Sequence, residues 1–392
     1  MLSVPEQFRS RAMPLHASRW VARAFVAALC VGSMAFTPTP TNAQPTGGPS
    51  GGPDPSGIEF ATIGAVGNAP WTGGGRLNNR GSVNYEYKIG KYEVTTAQWA
   101  EFFNAAFDRP ANERIQHVQP PSFWGGSATQ PTTPGGLRWQ VPTGNEMRAV
   151  GGITWRIAAI YCNWLHNDKR TDRAAFLSGA YDVNTFGYTP GGQLFTDQLT
   201  RSPGAKYWIP SDSEWVKASH YDPNRLNQDG TTGGWWRYSN SSDILPTYGP
   251  PGVNVLLGTQ TGPDPNGPLA QANSNWDDFR FPGYNPFTTP LGAYAVTTPW
   301  GLLDAAGGTS EWTERAFFSL GEPLPRDRGS DGSAWFQITN GSPDDAQTFG
   351  TSGFPDLPSF LTGLRIAAAV PSPGASSLVI GCVVYGLRRR RS

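Results

Sequence analysis

Residues 206–222 read KYWIPSDSEWVKASHYD. The stretch opens on an apolar, aromatic run at 206–209 that suits a short strand. Ser211 follows, with Glu214 three residues on. That is the spacing of a capping box, in which each side chain satisfies a backbone N–H of the other's turn. A helix is therefore expected from there, with Trp215 and Ala218 on its inner face. Two further helices are written the same way. TTAQWAEFFNAAF at 95–107 has Thr95 and Gln98 as its box, with Trp99, Phe102, Phe103 and Ala106 at helical spacing. TWRIAAIYCNWLHND at 154–168 starts at Thr154 and turns Ile157, Tyr161, Trp164 and Leu165 inward.

Regular structure thins out beyond these helices. Strand candidates lie at 85–89 and 363–369, and long Gly/Pro/Asn/Asp stretches run through 119–151 and 222–290. With 48 glycines and 36 prolines the chain leans towards disorder. Its 15 tryptophans lean the other way, because each one needs packing partners. No period of 20 to 50 residues marks a repeat protein. The expected fold is one irregular α+β domain of ordered loops laid on a small framework, starting near Ile58.

Cys30 and Cys382 lie near the two ends, which leaves Cys162 as the single cysteine between them. No intramolecular disulfide can form there, and a buried, inert thiol is the expected outcome in so apolar a helix. His117, His166 and His220 show no metal-binding spacing. G-x-S-x-G occurs once, at 48–52, in a Pro/Gly-rich stretch without the strand and helix that a nucleophile elbow needs. The acidic pairs Asp277-Asp278 and Asp344-Asp345 read as solvated loop residues.

Several segments together resemble one family. YKIGKYEVTTAQWAEFFNA, GGITWRIAAIYCNWLHN, KYWIPSDSEWVKASHYD, TTPWGLLDAAGGTSEWTER and GLRIAA occur in the order of the motifs of the formylglycine-generating enzyme family, the sulfatase-modifying factor domain. The resemblance covers residues 58–368 and implies a loop-rich, C-type-lectin-like α+β fold with calcium as an internal staple. It also implies a reaction in which two cysteines near the C-terminus hold copper and use oxygen to turn a substrate cysteine into formylglycine. Soft thiolates suit Cu(I). The matching stretch here, residues 328–368, contains no cysteine. Neither that reaction nor copper is expected, and a family name describes the fold rather than an activity. For calcium, the resemblance implies Glu311 and Gly308, the glycine standing where the family has asparagine, and a second set at Asn273, Asn275 and Asp277.

The two ends read as address labels. Four arginines and an apolar run at 24–36 precede Thr41-Asn42-Ala43, the order of a secretory signal peptide over residues 1–43. A flexible linker at 44–57 follows. At the other end, Val370-Pro371-Ser372-Pro373, an apolar run at 374–387 and four arginines resemble a PEP-CTERM sorting signal over residues 369–392. The run would be about 21 Å long as a helix, at roughly 1.5 Å per residue, short for a permanent span. The resemblance implies an exosortase-type partner, only transient contact with the membrane, and delivery to the surface or matrix of a Gram-negative-type bacterium.

The whole chain has 30 basic and 30 acidic residues; without the first 43 (four Arg, one Glu) and last 24 (four Arg) the remainder carries a net charge of −7. Such a body does not suit nucleic acid. The expectation is a non-catalytic surface module binding exopolysaccharide or another matrix component, with Trp124, Trp235, Trp236 and Tyr238 as rings on which sugars could stack. A metal-dependent oxidase with other ligands, or a purely structural matrix protein, stays open.

Overall fold

The computed structural model describes residues 54–73, 78–130, 136–257, 262–273, 280–332, 352–358 and 361–371, all within the unit spanning residues 49–392. The expected signal peptide, most of the linker, the sorting tail from residue 372 on, and Asn275, Asp277, Asp278, Asp344 and Asp345 lie outside the described residues.

The three capped helices form where the caps are written. Helix α1 (Thr96–Ala106) and helix α4 (Asp212–His220) each carry both hydrogen bonds of the capping box. Helix α2 (Trp155–His166) starts where the Thr154 hydroxyl accepts the Ile157 N–H. A short helix α3 (Ala174–Leu177) follows α2. Aromatic side chains lock α1 to α2: Trp99 stacks on Tyr161 at 5.5 Å, and Phe102 meets the same ring edge-on at 5.1 Å. Helix α2 is buried on every side up to its last residue, Arg156 and Asn163 included. Asn163 can be buried because its amide is used in full: the oxygen accepts the Tyr181 N–H, and the NH2 donates to the carbonyls of Phe176 and Tyr181.

Two four-stranded sheets complete the framework. In the first, β1 (Phe60–Ile63) pairs with β2 (Tyr87–Gly90), which pairs with β12 (Ala367–Ala368), which pairs with β5 (Tyr207–Trp208), all antiparallel. The second runs β10 (Ser352–Gly353), β9 (Pro325–Asp331), β8 (Ser310–Phe318), β11 (Thr362–Gly363), and its β11–β8 pair is parallel. Two small ribbons, β3 (Ser127–Ala128) with β4 (Trp139–Gln140) and β6 (Tyr221–Leu226) with β7 (Thr232–Trp235), lie within the stretches read as loops.

Two expectations are corrected here. The strand expected over 363–369 is two short strands in different sheets, β11 and β12, separated by residues 364–366, among them Arg365. The stretch 222–290 is not loop throughout, because Tyr221–Leu226 folds back on Thr232–Trp235.

Candidate functional site

Three of the quoted segments meet at one buried carboxylate. Glu311, on β8, is 1% exposed and Arg365 is fully buried. The Arg365 Nε lies 2.9 Å from each Glu311 oxygen, and Nη2 lies 2.7 Å from Oε1. The Trp215 indole N–H, from α4, donates to Oε2. The other Arg365 donors reach the carbonyls of Gly90, Lys91 and Leu303 at 2.8 to 3.0 Å. One guanidinium therefore ties the end of β2, the loop before β8, and β8 itself to residue 365, with its fork geometry fully used.

Two more carboxylates stand beside this clasp. Buried Glu93 accepts the Thr309 N–H at 3.0 Å and its hydroxyl at 2.7 Å. Burial, with the Glu311 charge added, pushes Glu93 well above the usual carboxylate range. Half-buried Asp304 accepts the Gly292 N–H at 2.6 Å, and desolvation by its neighbours raises it to about 6. Three carboxylates around one guanidinium leave an excess of negative charge in a low-dielectric setting. A proton or a hard cation would neutralise it.

The residues expected to hold calcium divide accordingly. Asn273 and Gly308 do meet, the Gly308 N–H donating to Asn273 Oδ1 at 2.6 Å. Glu311 instead faces Arg365 and Trp215. The oxygens that suit calcium are those of Glu93, Asp304 and Asn273, and the first two went unnoticed in the sequence although both lie inside quoted motifs. Among the described residues no three His, Cys, Asp or Glu side chains converge as a metal-binding group. A cation here would therefore draw on amide and backbone oxygens as well.

Gly308 has a left-handed φ of 69°, and a Cβ there would lie 2.4 Å from Glu93 Oε1. Restoring the family's asparagine therefore needs Glu93 to move. Gly308→Asn is expected to cost about 1–3 kcal/mol as an overpacking change, read from urea denaturation. A cost below about 0.5 kcal/mol would mean that Glu93 yields freely.

Of the four aromatic residues expected to stack on sugars, Tyr238 is buried and the three tryptophans are half-buried, each with packing partners. Trp235 meets Tyr221 edge-on at 5.0 Å and Trp71 at 6.3 Å. Its ring leaves no room for a side chain at Gly81, where a Cβ would sit 2.1 Å away. Trp236 is capped by the Arg225 guanidinium at 4.1 Å, and its indole N–H donates to Asp222. Trp124 packs elsewhere, against Phe103 and Trp139 beside α1 and β4. Near Trp71, Arg80 spans Asp212 of α4 and Asp331 of β9, which joins three chain segments rather than exposing a free charge.

Cys162 is fully buried in α2, and burial pushes its thiol well above its usual range. The three histidines go separate ways. His220 is buried, with Nδ1 3.3 Å from the Trp236 carbonyl. His166 accepts the Lys206 N–H, and His117 packs against Phe186.

Among solved structures the chain is similar to CarF (TM-score 0.42, 18% identity, covering 81% of this chain and 100% of that one). It is also similar to Treponema denticola variable protein 1 (TM-score 0.42, 16% identity, 79% and 95%) and to PvdO from Pseudomonas aeruginosa (TM-score 0.39, 14% identity, 80% and 92%). No curated protein matches the sequence. The model of the family described as "Sulfatase-modifying factor enzyme 1-like domain" matches residues 78–367. That match takes in α1, α2, α4 and the Glu311–Arg365 clasp, so the chain belongs to the sulfatase-modifying factor, or formylglycine-generating enzyme, domain family.

Proposed function

We propose that this protein is an exported surface or matrix protein whose domain binds exopolysaccharide or another matrix component and performs no thiol-dependent oxidation. One observation carries the reading: the single cysteine between residues 44 and 368 is Cys162, and it is sealed inside α2. Copper chemistry of the family's kind needs a pair of reachable thiolates. What the domain then offers to a partner is its surface. Export is supported by the arginine-flanked apolar run and small-residue cleavage pattern at one end and the PEP-CTERM-like tail at the other. No helix among the described residues is long and apolar enough to cross a membrane. An exosortase-type partner would act on the tail. Calcium held near Glu93, Asp304 and Asn273 would staple the loops around the clasp.

The test is binding of the purified protein to immobilised bacterial exopolysaccharides, with calcium and with EDTA. Saturable binding that weakens in EDTA is expected. Failure to bind in either buffer would overturn the binding reading in favour of a structural matrix role. Stoichiometric iron or copper in the purified protein would favour an oxidase.

A further inference from the structure

Arg156 is the one charged residue in the buried length of α2 before His166, and it is 3% exposed. Its guanidinium is held edge-on by both oxygens of Asp197, each at 2.8 Å, and donates to the Gly187 carbonyl at 2.9 Å. With its edge fixed, its plane supports rings: Tyr188 at 4.8 Å and Phe186 at 5.8 Å. The row continues on both sides. His117 lies 5.7 Å from Phe186, Phe354 lies 6.4 Å from Tyr188, and the exposed Arg326 stands over Phe354 at 5.8 Å.

Trp235 and Trp236 are half-buried too, and what sets these four rings apart is the row they form from the fixed Arg156 guanidinium out to Arg326. His117, Phe186, Tyr188 and Phe354 are all partly exposed, and they succeed one another along a single strip. A polar group is set into the strip as well. The Tyr188 hydroxyl donates to Asp356 Oδ1, and the other Asp356 oxygen lies 3.7 Å from Arg156. The Asp356 side chain is 35% exposed, so its carboxylate keeps room to accept from a ligand. His117 also holds a left-handed φ of 67°, which a non-glycine residue keeps only where its surroundings fix it.

We propose that this strip is the ligand-binding face of the domain and that its ligand is a neutral polysaccharide; this rests on the binding function proposed above. A sugar ring presents an apolar C–H face to an aromatic ring and hydroxyls at its rim. A row of part-exposed rings with one placed carboxylate supplies both kinds of contact. A buried arginine beneath the rings, held along its Nε–Nη2 edge by Asp197, sets their orientation in advance, which lowers the ordering cost of binding. Charge selects the class of polymer. The body carries a net charge of −7 once the four Arg and one Glu of the first 43 residues and the four Arg of the last 24 are set aside, and within the strip the exposed Arg326 only offsets Asp356. A polyanion would be repelled.

The test measures binding of the purified protein to immobilised dextran and β-glucan, both neutral, and to alginate, which is acidic. The variants are Tyr188→Phe, Phe354→Leu and Phe354→Ala on the strip and Trp236→Ala away from it, with thermal melts confirming that each folds. The expected result is binding to a neutral glucan. Phe354→Ala should weaken it about tenfold, and Tyr188→Phe about threefold through lost control of Asp356. Phe354→Leu keeps the apolar bulk and the fold but removes the ring, so it should follow Phe354→Ala. Trp236→Ala should stay within about twofold of the parent. If the parent binds and the strip variants bind equally well, the strip is wrong while the binding function stands. If the parent prefers alginate, the neutral class is wrong. If the parent binds no polysaccharide, both readings fall together.

Discussion

Replacing Arg365 with methionine is expected to cost about 3–5 kcal/mol of folding stability, measured by urea denaturation. The substitution keeps much of the side chain's bulk but leaves Glu311, which is 1% exposed, without its counter-charge. It also abandons the carbonyls of Gly90, Lys91 and Leu303. Those carbonyls belong to different parts of the chain, so the loss does not stay local. The double variant Arg365→Met with Glu311→Leu should recover part of the loss, because removing both partners removes the stranded charge. A single-variant cost under 1 kcal/mol would mean that another cation takes up Glu311 once Arg365 is gone.

Trp155→Ala should be comparably severe, at about 3–5 kcal/mol, with Trp155→Phe costing less than half as much when both are measured by urea denaturation. Trp155 is fully buried, and its indole N–H donates to the Thr313 carbonyl on β8. Its larger role is to support Arg328, which is also fully buried and makes no ion pair among the described residues. Arg328 donates instead to the carbonyls of Gln198, Leu199 and Glu314. Its guanidinium lies 3.6 Å over the Trp155 ring and 4.7 Å over Phe195, and burial lowers it to about 10. Taking away the nearer ring would remove packing volume and the cation–π partner of a desolvated charge together. Phenylalanine retains a ring face for Arg328 but loses the bond to Thr313. If alanine and phenylalanine cost the same, the ring face contributes nothing.

The helices were legible in the sequence because their starts are local chemistry. Thr95, Thr154 and Ser211 each cap the helix that follows, and Gln98 and Glu214 complete the boxes read from the sequence for the first and third. The longest strand pair was not legible. In β8, SEWTERAFF, the first five residues are all buried, so no alternation of apolar and polar residues appears. Its charged residues are internal because distant partners meet them: Glu311 has Arg365, and Glu314 has Arg201 at 3.3 Å. In β9, PRDRGSD, Arg328 and Asp331 are inside for the same reason, while the composition reads as loop.

The candidate site followed that pattern. Gly308 was assigned to one ion site and Asn273 to another, whereas the fold puts the Gly308 N–H on Asn273 Oδ1. Glu93 and Asp304 acquire their meaning only from the fold that brings them beside Glu311. The Arg156 strip could not be read at all, since Phe186 and Tyr188 flank a glycine in a stretch without periodicity, and Phe354 and Asp356 lie far along the chain.

The place of β12 also has a consequence for the time course of folding. Ala367–Ala368 lies between β2 and β5, so the middle of the first sheet is filled from the far end of the domain. A nascent chain that has not yet reached residue 367 has two strands with nothing between them and a Glu311 with no arginine to receive it. Closing so long a loop is entropically slow, and pairings of this kind form late. The domain should therefore stay open until its synthesis is nearly complete and then close in one cooperative step. A chain that remains open for that long is one that can still be threaded through a membrane.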